Sequence, residues 1–177
     1  MKKVMLLTIF AALMMISSAA VAQTTANGTL TVTATVTGSI QLVFNSDASG
    51  VALSSGAGTN AATLAFGNVS AFGAVSAGVV RSTTATTFTV SSAVDVLVSK
   101  TNSASANYTL KAQLGAADAI NTWSVGGVAV TNAAQSTLTA TGAYAANSNF
   151  PVAITVPFTT ASGTAISNTI SYQATAN

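Results

Sequence analysis

Apolar and polar residues alternate with period two along most of the chain from residue 29 onward. Leu30, Val32, Ala34 and Val36 are interleaved with Thr29, Thr31, Thr33, Thr35 and Thr37. After Gly38 the phase restarts with Ile40, Leu42 and Phe44, and Leu64 and Phe66 precede Gly67. Phe88, Val90, Val94, Val96 and Val98 make another apolar face, and Tyr108, Leu110, Ala112 and Leu114 the next. Shorter runs at 123–125, 128–130, 137–144, 152–158 and 166–174 extend the pattern. A strand of this kind buries one face and solvates the other, and Val and Thr suit it well. Gly/Ser/Asn clusters at 45–50, 54–60 and 146–149 separate the runs as turns. No helical period intervenes, and residues 116–119 make at most a short helical turn. The pattern predicts an all-β fold, a single antiparallel β-sandwich of immunoglobulin-like type, and one domain.

Two hairpins follow from pairing logic. Gly126-Gly127 suits a two-residue turn in which both residues have positive φ. Val125 then faces Val128 and Trp123 faces Val130, all on one apolar side. A second hairpin is expected between 94–99 and 107–113, with Val96 opposite Leu110 and Val98 opposite Tyr108, or with the register one step away. The first of these registers sets Asp95 across from Lys111, a solvated pair worth under about 1 kcal/mol.

The first 22 residues break the pattern. Met1-Lys2-Lys3 is basic, residues 4–16 are apolar apart from Thr8, and Ala20-Val21-Ala22 is a small-x-small cleavage pattern. These are the three parts of a secretory signal peptide, and the apolar run falls short of the roughly 20 residues a membrane span needs. The expected organisation is a signal peptide at 1–22, an N-terminal strand at 23–37 and a β-sandwich domain at 38–177. The expected location is outside the cell, reached through the periplasm.

Cleavage also changes the charge. The basic pI of about 9.2 belongs to the precursor. Arg81, Lys100 and Lys111 remain against Asp47, Asp95 and Asp118, a formal charge of zero. Nucleic acid is not an expected partner, because it needs a basic patch.

Catalytic chemistry has little material to use. The chain has no His, Cys or Glu, so His- or Cys-based nucleophilic dyads and Cys/His zinc sites are excluded. Asp47 and Asp118 sit in turn-like segments, where Asp bonds its own backbone. Acids do not alternate as calcium loops require. Residues 50–58 are rich in Gly but lack the Lys-Ser/Thr of a phosphate loop. The sequence therefore predicts a protein that is not an enzyme, with no cofactor and no metal. Trp123, Tyr108, Tyr144, Phe150 and Tyr172 are the candidates for a glycan-binding aromatic platform, with Trp123 read as core. A monomeric glycan-binding module is one alternative. A small outer-membrane barrel is another, although its outer faces would be Thr and Ser rather than an apolar band.

The segment at 23–37 carries no charge and no Pro. Edge strands are normally guarded by one or the other. Such a strand pairs within its own sheet or with another subunit, its alternate side chains Leu30, Val32, Ala34 and Val36 entering a groove.

Leu64-Ala65-Phe66-Gly67 after the first core strand, several Thr/Val strands and a last strand ending near residue 174 together resemble the spore-coat-U-like and chaperone–usher pilin families. The layout covers residues 27–177. The chain lacks the cysteines usual there and the penultimate Tyr common among pilins. The resemblance implies a secreted immunoglobulin-like sandwich, a structural subunit of a surface fibre or coat. Its implied partners are copies of itself arranged head-to-tail, a periplasmic chaperone and an outer-membrane usher.

Overall fold

The computed structural model describes residues 26–177. The expected signal peptide and residues 23–25 lie outside the described residues. Val36–Asn177 forms one compact unit, and residues 26–35 belong to a separate one.

Eleven strands are present in the described residues, and no helix. They are β1 (Ser39–Ser46), β2 (Val80–Thr83), β3 (Thr87–Ser92), β4 (Val94–Thr101), β5 (Tyr108–Leu114) and β6 (Thr122–Val125). β7 (Val128–Val130), β8 (Ser136–Gly142), β9 (Asn147–Asn149), β10 (Val152–Pro157) and β11 (Ile170–Ala176) follow. They build three antiparallel sheets, ordered β1-β4-β9, β2-β3-β10-β6-β7 and β11-β5-β8. The fold is the all-β sandwich that the alternation predicts.

The first two sheets are halves of one long layer. Only Ala93 separates β3 from β4, and only Phe150 and Pro151 separate β9 from β10. The register runs on unchanged from Val152↔Ser92 to Asp95↔Asn149. Pro151 has no N–H to offer opposite Ala93, so the ladder is interrupted there. Phe150 N donates to Val94 O at 2.8 Å and carries the pairing across the gap. The loop after β1 is anchored at the same point, where Val51 N donates to the hydroxyl of buried Ser92 at 2.7 Å.

The second layer is β11-β5-β8. The chain reaches it by crossing from β4 to β5, so the expected hairpin between 94–99 and 107–113 does not form in either register. β4 pairs with β1 and β9, and β5 with β11 and β8. Val96, Val98, Tyr108 and Leu110 do meet, but face to face across the sandwich in one fully buried cluster. Period two cannot distinguish a neighbour in the sheet from a partner in the facing sheet. The Asp95–Lys111 pair falls with the hairpin. Asp95 instead accepts from Asn147 and Asn149, while Lys111 lies opposite Gln173 and Thr137.

The Gly-Gly hairpin forms as expected. Trp123 pairs with Val130 and Val125 with Val128, and Gly126 and Gly127 have φ of 57° and 79°. Leu64 and Phe66 are in no strand, yet both lie half-buried against the core. The last strand begins at Ile170 rather than at Ile166.

Candidate strand-binding groove

β1 and β11 each have one strand neighbour, β4 and β5 respectively. Their free edges lie on the same side of the sandwich, one in each layer. On that side, the edge of β1 is met at Phe44 by the turn at residues 58–59. Phe44 N donates to Thr59 O at 2.8 Å, and Gly58 N donates to Phe44 O at 2.7 Å.

Between the two edges lies an open groove of about 1920 Å³. One wall is β1 with residues 58–69, and the other is β11 with residues 162–169. The floor is the inner face of the first layer, including Val90, Val94, Val152, Ile154 and Val156. An antiparallel sandwich normally covers this floor with a strand. Here the covering is coil, with Leu64, Phe66 and Ile166 only half-buried.

The walls touch at one aromatic pair. The rings of Phe44 and Tyr172 meet edge-on with centroids 5.0 Å apart. Burial pushes the Tyr172 phenol up, so it stays neutral at ordinary pH. The groove therefore offers an incoming segment an uncharged surface, apolar along the floor and in part polar along the walls, flanked by strand edges.

Residues 26–38 form no strand, and the four candidate side chains are exposed: Leu30 at 88%, Val32 at 80%, Val36 at 75%, and Ala34. Sequence reasoning found this segment. It did not find the groove, because Ile40, Leu42 and Phe44 read as ordinary core alternation and Tyr172 as a candidate for an aromatic platform. Only the topology shows that their strands lack a neighbour.

The other candidates take structural positions. Asp47 accepts from Ser49 N at 2.7 Å, closing its turn. Asp118 accepts from the backbone N–H groups of Ile120 and Asn121, the Asn121 amide and Trp123 Nε1. Burial alone would push the Asp118 carboxyl up. The bonds from Asn121, Trp123 and Ile120 outweigh it and hold the group down at about 2.

Among the described residues, no three Asp, Glu, His or Cys side chains come together as a metal site. Of the platform candidates, Trp123 and Tyr108 are buried, and Tyr144, Phe150 and Tyr172 are half-buried. Among the described residues the most exposed aromatic is Phe72, at 74%, which no sequence pattern marked. Comparisons with known protein families, characterised proteins and solved structures found no match to this chain.

Proposed function

We propose that the protein is an exported, non-enzymatic structural subunit of a surface fibre or coat. Residues 23–37 of one copy lie as a strand in the groove of the next. The observation that carries this reading is the coincidence of two strand edges without a neighbouring strand, above a groove with an apolar floor, with an unguarded, alternating segment in the same chain.

A strand laid between β1 and β11 bonds through its main chain and places alternate side chains on the floor. Leu30, Val32, Ala34 and Val36 share one face of such a strand, and Thr31, Thr33 and Thr35 the other. Each Leu or Val so buried stabilises the assembly by roughly 1.5–3 kcal/mol before the cost of ordering the segment. The contact joins two different surfaces, so it repeats into an open filament. The incoming strand must part Phe44 from Tyr172, take the place of Thr59 beside Phe44 and displace the coil at Leu64, Phe66 and Ile166 that covers the floor. A periplasmic chaperone that fills the groove until assembly, and an outer-membrane usher that exchanges it, fit the same gap. The near absence of charge supports the reading too, since copies packed side by side meet little repulsion.

The test is deletion of residues 24–37 from the exported chain. Electron microscopy should then show no filaments, and a synthetic peptide of residues 24–37 should bind the deleted chain and raise its Tm. Filaments of ordinary length from the deleted chain would sink the proposal.

A further inference from the structure

β1 and β2 lie end to end along one edge of the long layer. β1 stops opposite Val94, and β2 starts opposite Ser91. Residues 47–79 come between them in the chain. They leave the edge and return to it at nearly the same point. Gly50 and Gly78 touch there backbone to backbone, and Gly50 rests on Ala93 O. A Cβ on either glycine would overlap these neighbours.

Both feet of this excursion are tied down. Val51 N donates to the Ser92 hydroxyl at 2.7 Å, and Leu53 N to the Ser46 hydroxyl at 3.0 Å. At the other foot the Arg81 guanidinium donates to Ser70 O at 2.9 Å and to Gly73 O at 2.7 Å. Between the feet the hold is slight. Among the described residues, the two backbone bonds at Phe44 are the hydrogen bonds that join 54–69 to the rest of the chain. No residue of that segment is fully buried, although Leu64, Phe66 and Val69 lean on the core.

The tip of the segment nevertheless keeps its own shape. Ser55 pairs with Thr63, with Ser54 N donating to Thr63 O at 2.9 Å and Thr63 N to Ser55 O at 3.0 Å. The Thr59 hydroxyl lies 2.8 Å from both Gly56 O and Ala61 O. The opposite wall of the groove is fixed more firmly at its end. Gly115 N donates to Thr169 O at 2.7 Å, and the Asn168 amide donates to Ala116 O at 3.0 Å.

We infer that residues 54–69 are a movable strap that closes the groove of the unassembled subunit, and that its release sets the rate of assembly. The inference rests on the strand-exchange reading above. A segment with tied feet, a self-bonded tip and little burial opens at lower free energy than the body beneath it. Phe44 has one N–H and one C=O to give, and both are engaged by the strap. An incoming strand can bond there only after Thr59 and Gly58 have left. The strap also supplies what β1 lacks. The sequence Ser-Ile-Gln-Leu-Val-Phe-Asn-Ser has no charge and no Pro to guard its edge. The strap guards that edge at Phe44 until a strand of another copy replaces it.

Two measurements on the full-length chain test the inference. In the first, residues 56–62 are replaced by Asn-Gly. Ser55 and Thr63 already pair, so a two-residue turn closes them, and the shortened tip no longer reaches Phe44. This chain should assemble roughly tenfold faster or more by light scattering, the weight of two lost backbone bonds. Electron microscopy should show ordinary filaments. Assembly at the wild-type rate or slower would overturn the inference.

The second measurement needs no variant and compares amide hydrogen exchange before and after assembly. The Gly58 amide, bonded to Phe44 O in the closed strap, should exchange roughly tenfold faster or more in filaments, by the same weight. The Thr63 amide, bonded inside the tip, should keep its protection. Equal or greater protection of Gly58 in filaments would overturn the inference and leave strand exchange standing. Filaments from the shortened-tip chain after deletion of residues 24–37 would instead overturn strand exchange itself.

Discussion

Residues 29–37 and strand β3 have the same kind of sequence, Thr-Leu-Thr-Val-Thr-Ala-Thr-Val-Thr in one and Thr-Phe-Thr-Val-Ser-Ser in the other. Their situations are opposite. β3 lies between β2 and β10, with Phe88, Val90 and Ser92 buried and Thr89 bonded across to Thr155 at 2.6 Å. In residues 29–37 the alternate apolar side chains are exposed, and no strand forms. Alternation thus states a capacity to be half-buried. A partner edge on each side is what turns the capacity into structure. The molecule has one segment with the capacity and no partner, and one groove with partners and no strand.

The sharpest way to break the comparison is to put a charge into each stretch. Val90→Asp should unfold the body, because an unpaired carboxylate in that core costs about 4 kcal/mol or more. Val32→Asp should leave the Tm of the body unchanged and abolish filaments. Thermal melts with electron microscopy check both, and a lowered Tm in Val32→Asp would show that the two stretches are not opposites.

A smaller effect is expected where a residue has to be absent. A Cβ on Gly142 would lie 2.3–2.8 Å from the ring of fully buried Tyr108. Gly142→Ala should therefore destabilise the body by roughly 1–3 kcal/mol through overpacking, read as a shifted denaturant midpoint. Filaments of that variant should persist at temperatures where the body remains folded.

The smallest effect concerns the Asp118 turn beside Trp123. Its folded carboxyl titrates at about 2, below the ordinary 3.8. Its stabilisation is therefore present above pH 4 and is lost as the pH falls through 2. Asp118→Asn should lower the Tm slightly at pH 6. The gap from the wild type should narrow between pH 4 and pH 2 and close below it.

What was legible in the sequence follows from range. The 123–130 hairpin is local: two glycines at positive φ fix the turn, and four side chains fix the register. The inner faces of β3, β4, β5 and β10 were equally readable, because burial sets their alternation. The partner of each strand was not, since six residues at 102–107 suffice to carry the chain from one layer to the other. Coil that packs on the core, as at Leu64 and Phe66, looks like strand for the same reason. The segment at 29–37 was visible as an unguarded pattern. The groove was invisible, because a missing neighbour leaves no mark on the residues beside it. Phe72 lay between Gly and Ala in a loop with no period at all.

The eight residue pairs from Ser39↔Thr101 to Ser46↔Val94 have a mechanical consequence. A pull transmitted through residues 36–38 enters β1 at Ser39 and is directed along the strand axis. The hydrogen bonds to β4 lie across that axis, so they resist in shear and yield together, rather than opening one at a time from an end. If copies are joined as proposed, a chain of them under tension would hold its length until the whole β1–β4 ladder slips at once.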